Sequence, residues 1–172
     1  MAKSFNRSGI AAALLALAAP LPALAQPAVL GTDAAACAPG AAGHAVLVTV
    51  HGFKDRDGRL RLQYYPDTKD NYLGSGQYIR RQEMQMTPEG DMVVCITVPA
   101  PAHYVMVALH DRNSDGKLSV WSDGIGFSNN PRLALAKPAL EKTRFEAKPG
   151  LTRITIVMNY RRGLSVRPLD SK

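Results

Sequence analysis

Between residues 44 and 159 the apolar side chains fall in short runs, several in strict alternation, and each run is stopped by Gly, Pro, Asn or Asp. Alternation with a period of two is the signature of a pleated strand with one buried face. No window sustains the 3.6-residue spacing of a long amphipathic helix, which leaves strands as the building units. Residues 44–51 (HAVLVTVH) place Val46, Val48 and Val50 on one face. Residues 54–58 (KDRDG) carry an Asp-Gly turn signal, and residues 59–65 return with Leu60, Leu62 and Tyr64 inward and Arg59, Arg61 and Gln63 outward. This pair reads as a hairpin.

Further along, residues 78–87 suit either a helical turn or an outer strand, whereas the β-branched run 92–98 (MVVCITV) reads as a central strand. Residues 104–109 form a strand apolar on both faces, and residues 131–142 carry a single short helical turn. Residues 144–147 and 151–159, split by Pro149-Gly150, supply the last strands. Short strands at regular spacing predict an all-β fold, an antiparallel β-sandwich occupying residues 44–160. Residues 26–43 are small and Pro/Gly-punctuated and read as a leader segment outside the sandwich, ordered on contact and pinned by Cys37 where it bridges; residues 161–172 read as a polar, frayed tail.

The N-terminal residues address export. Lys3 and Arg7 precede the apolar run 10–21, and Ala23-Leu24-Ala25 matches a signal-peptidase site, so residues 1–25 read as a signal peptide and Gln26 as the mature start. The run is too short for a comfortable span, and no transmembrane span is expected after its removal. Location is therefore expected to be periplasmic or secreted. Cys37 and Cys95 are the two cysteines of the chain, and in an oxidising compartment they are expected to pair.

The formal charge is +7, two units of it on Lys3 and Arg7, and aromatic residues make up 6 %. The remaining cations are scattered along the chain and no basic run is interleaved with aromatics. That argues against nucleic acid and leaves solubility as the reason for the charge.

The stretch 104–130 (YVMVALHDRNSDGKLSVWSDGIGFSNN) holds the chemistry-bearing residues. Asp111, Asn113 and Asp115 alternate and Gly116 follows, as in the opening of a calcium loop. Candidate metal ligands are Asp111, Asn113, Asp115, the carbonyl of Lys117, and Asp123. The twelfth position, where such a loop wants a bidentate Glu, is Ser122. Calcium binding is accordingly expected to be weak, at about 10⁻⁴–10⁻³ M. The same side chains also suit Asx turns that bond nearby backbone N–H groups. His44, His51, His103 and His110 sit at strand edges without H-x-H spacing, so they read as structural or solvated. No G-x-S-x-G elbow is present, and Trp121 reads as a lid on the core, with a sugar-stacking platform as the alternative.

His110-Asp111, Asn113 and the run 115–118 (DGKL), followed by the run 126–130 (GFSNN), resemble the paired motifs of the bacterial domain of unknown function 2141. The similarity covers roughly residues 45–159. It implies an exported, transthyretin-like or prealbumin-like sandwich, and it supplies no catalytic residue. Where relatives often place a further acid after the leucine, this chain has Ser119, Trp121 and Ser122. The expected function is a non-catalytic binding or accessory module that meets an envelope protein or glycan, with weak calcium binding through residues 111–123. The alternative is a cell-envelope hydrolase acting on polysaccharide or peptide, built on Asp111, Asp115, Asp123, His51 and His110.

Overall fold

The computed structural model describes residues 28–169, so the expected signal peptide lies outside the described residues. In chain order the first elements are β1 (Val29–Leu30), a 3₁₀ turn (Ala34–Cys37), β2 (Ala45–His51), β3 (Arg59–Pro66), β4 (Arg80–Gln85) and β5 (Met92–Thr97). Next come β6 (Ala102–Asp111), β7 (Gly124–Phe127), the one-turn helix α1 (Leu140–Thr143) and β8 (Arg144–Ala147). The last three strands are β9 (Leu151–Val157), β10 (Asn159–Arg162) and β11 (Ser165–Pro168). They form two packed sheets, one ordered β1-β5-β2-β9 and the other β11-β10-β7-β6-β3-β4, with β8 pairing β6. The expected all-β sandwich is what the chain forms. Its pairings are antiparallel except β1 with β5 and β2 with β9, which are parallel.

The expected hairpin is not one. β2 pairs with β5 and β9, while β3 pairs with β4 and β6 in the other sheet. Residues 52–58 therefore arch from sheet to sheet. Packed sheets lie about 10 Å apart, a gap that a loop of this length spans easily. Alternation specifies which face of a strand turns inward but not which strand lies beside it, and both strands meet that demand by facing each other across the core. Val46, Val48, Val50, Val94, Ile96 and Ile156 from the first sheet pack against Leu60, Leu62, Tyr64, Met106 and Ala108 from the second. At Gly126 the sheets approach so closely that a Cβ would stand 2.4 Å from Ile156 Cγ2 and 2.8 Å from the Val157 carbonyl oxygen.

β6 is apolar on both faces because a second cluster covers its outer side. Tyr65, Val105, Val107 and Phe127 are roofed there by Tyr72 and Leu133 from the loops above. Residues 78–87 resolve into the edge strand β4.

Two expectations about the ends of the domain are corrected. The leader is part of the sandwich: Val29 and Leu30 pair with Val93 and Val94, and the 3₁₀ turn brings Cys37 to Cys95. The disulfide forms as expected and spans 58 residues of sequence. The supposedly frayed tail is a hairpin, β10 with β11, which extends the larger sheet beyond β7. Its alternation is too short to register in sequence, and the neighbouring strand supplies its ladder. Among the described residues, no helix is long and apolar enough to cross a membrane.

Candidate functional site

The last two residues of β6 point to opposite faces of the sheet, His110 toward the core side and Asp111 into the loop that follows. His110 and Asp111 are both wholly buried. His110 Nε2 lies 2.8 Å from the Asp57 carbonyl oxygen and Nδ1 lies 2.7 Å from the Tyr160 hydroxyl, which also accepts the Lys54 N–H. The imidazole thus ties the inter-sheet arch to β6 and β10. Arg112 adds a second tie by donating Nε and Nη2 to the Asp55 carboxylate. That hydrogen bond, opposed by partial burial, holds the Asp55 carboxyl below its ordinary range.

The expected ligand set divides between the two ends of the loop. Asp111 accepts the Asp115 N–H at one carboxylate oxygen and the Gly116 N–H at the other. Asn113 accepts the Asp115 N–H and donates to Asp115 Oδ2, while Asp115 Oδ1 accepts the Lys117 N–H. Asp123 serves the far end, accepting from Arg112 N, Ser119 N and the Ser122 hydroxyl. Arg61, outward as its alternation predicts, lies buried under this loop. It donates to the Gly116 carbonyl and stands 3.9 Å from Asp111 Oδ2. A cation of the protein's own therefore adjoins the innermost carboxylate. Among the described residues, no group of three or more His, Cys, Asp or Glu side chains is placed to hold a metal ion.

The second motif is equally absorbed by the fold. The buried Ser128 hydroxyl accepts the Met106 N–H and donates to the Thr143 carbonyl. Asn129 donates to the Arg144 carbonyl. Asn130 caps the open edge of β9, donating to Thr155 O at 2.8 Å and accepting Val157 N–H at 2.7 Å. A side-chain amide here replaces a neighbouring strand.

An open site lies beside the motifs. On the outer face of the larger sheet, a cavity of about 360 Å³ opens between the loop carrying Leu118 and Val120, the segment 133–138, and strands β7, β10 and β11. Ile125, Phe127, Leu133 and Val166 form much of its wall. Asp123 and Asn159 also line it, but the Asp123 oxygens bond the loop and Asn159 donates to the Val157 carbonyl. Arg161 stands at the cavity, its guanidinium 3.3 Å over the ring of Trp121. Trp121 is 76 % exposed, which overturns its expected place as a lid on the core. This cavity was not legible in sequence. Its signal was the pair of apolar residues Leu118 and Val120 inside a polar loop.

No curated protein and no solved structure matches the chain. A family model described as an uncharacterized protein conserved in bacteria matches residues 48–155, from within β2 to within β9. That span encloses both motifs, the arch, and most of the two sheets. The chain belongs to this family, the domain of unknown function 2141.

Proposed function

We propose that the protein is an exported, non-catalytic binding module that takes a small apolar molecule into the cavity beside β7. The observation that carries this reading is the cavity itself, largely apolar and within the size range of small-molecule sites. The motif residues support it by being engaged elsewhere. A hydrolase would need carboxylates open to a groove. Asp111 and Asp123 are instead buried, with both oxygens of each accepting hydrogen bonds from the loop. Their part in the proposal is to hold the loop as one wall. The Cys37–Cys95 bond supports export, because such bonds persist in oxidising compartments.

Titration with the neutral apolar fluorophore phenylnaphthylamine tests the proposal. Saturable binding at one site is expected, and Ala134→Phe, which places a ring in the cavity wall, is expected to remove it. Absence of saturable binding to the unaltered protein overturns the reading.

A further inference from the structure

Seven large apolar side chains are exposed among the described residues, and five of them crowd one face: Leu118, Val120, Trp121, Leu135 and Leu164. Leu118, Val120 and Leu135 line the cavity, while Trp121 and Leu164 line a shallow adjoining hollow that shares Arg161 with it. They come from three separate segments, so the clustering is a product of the fold. Leu164 is 89 % exposed at the tip of the β10–β11 turn, where it can contribute little to the core.

The charged residues that line this face are cations but for one. Arg59 and Arg61 pair with Glu83, Arg80 with Asp33, Arg112 with Asp55, and Arg144 with Asp67. Arg132, Lys137, Arg161, Arg162 and Arg167, on the segments around the cavity, form no ion pair among the described residues, as is also true of Arg81, Lys148 and Arg153 elsewhere. The one carboxylate in the cavity wall, Asp123, is bonded to the loop. Protruding apolar tips among uncompensated cations match a membrane interface, where Trp sits at headgroup level and Arg meets phosphate.

We infer that this face docks on an anionic lipid surface, with Trp121 and Leu164 entering the headgroup layer while Arg161, Arg162 and Arg167 meet lipid phosphates. A second copy of the chain is a poorer partner. A two-fold contact would bring the same uncompensated arginines face to face.

Trp121 is the single tryptophan of the chain, so emission reports on the docking face alone. Protein purified after export is expected to co-sediment with phosphatidylglycerol vesicles, with a blue shift of Trp121 emission. Phosphatidylcholine vesicles should capture far less, and added salt should weaken the binding. Leu164→Ser should lower partitioning about tenfold without touching the core. Arg162→Gln and Arg167→Gln should each lower it about fivefold. No co-sedimentation with phosphatidylglycerol overturns the inference. So does binding that leaves Trp121 emission unshifted and is unaltered in Leu164→Ser, or a lipid-free dimer that buries Trp121. The cavity reading is separable. Ala134→Phe should abolish fluorophore binding in the absence of vesicles and leave vesicle binding intact, whereas Leu164→Ser should weaken vesicle binding and leave fluorophore binding intact.

Discussion

The tautomer of His110 is decided by its neighbours. The Asp57 carbonyl can only accept, so Nε2 carries the hydrogen and Nδ1 receives the Tyr160 hydroxyl. Burial disfavours the charged ring and outweighs the Asp57 carbonyl and Asp55 carboxylate, which leaves the His110 pKa below 6.5. Burial likewise pushes the Tyr160 phenol up to about 12, so it remains a donor throughout the working range. An unfolded chain would protonate His110 near 6.5 while the folded chain resists, so the unfolded state binds more protons in that interval. The stability due to this group is complete above about pH 6.5 and declines as pH falls toward the lower folded value. Melting temperature measured across this range should therefore drop toward acid in the wild type. His110→Gln should melt lower overall with a flatter profile, and parallel profiles would assign the titration to another group. A second residue-scale outcome concerns calcium. Arg61 already stands beside Asp111, and both Asp111 oxygens accept backbone hydrogen bonds. Melts in chelator and in millimolar calcium are thus expected to coincide, whereas weak loop binding would raise the midpoint by about 3 °C.

At the scale of elements, the 126–130 motif acts as a set of clasps between strands. Ser128 joins β6 to α1, and Asn130 takes the place of a strand beside β9. Replacing Asn130 by Ala removes both bonds and uncovers a sheet edge; chemical denaturation should show a loss of about 2 kcal/mol, with aggregation increased. Gly126→Ala should be worse, at about 3 kcal/mol, because the Val157 backbone obstructs the new methyl as well as the Ile156 side chain. An unaltered midpoint in Gly126→Ala would mean that the sheets are not so closely apposed. Strand positions were legible because Val46, Val48 and Val50 or Leu60, Leu62 and Tyr64 announce their buried faces by period alone. Their pairing was not, since a strand that faces its predecessor across a core has the same alternation as one lying beside it. The two motifs were legible as special positions: the 111–123 side chains suited ligands and Asx turns alike because both uses need the same oxygens, whereas the bonds of Ser128 and Asn130 were not legible because their backbone partners Met106 and Thr155 are remote in sequence.

For the whole molecule, the cavity was hidden for a related reason. Its wall is assembled from Leu118, Ile125, Leu133 and Val166, which come from four segments with no shared pattern, and Val166 sits in what reads as a polar tail. The Cys37–Cys95 pair was legible because only two cysteines exist, but its structural consequence was not. β1 contributes two residues of parallel pairing to β5, too little to hold a segment in place alone. The segment has other anchors: the Asp33 carboxylate takes the Thr97 N–H and hydroxyl and pairs with Arg80, and Gln82 accepts the Thr32 N–H. Asp33 is held below its ordinary range by these partners against the raising effect of burial, which is the larger single influence. The covalent link nonetheless constrains the unfolded chain over 58 residues, worth about 4 kcal/mol in the chain-entropy model. A Cys37→Ser, Cys95→Ser double variant should lose an amount of that order in denaturant unfolding. Amide exchange should quicken first in residues 28–43, with the larger sheet better protected, because the leader reaches that sheet at its edge strand β4, through Arg80 and Gln82. Uniform acceleration across both sheets would show instead that leader and sandwich open as one cooperative unit.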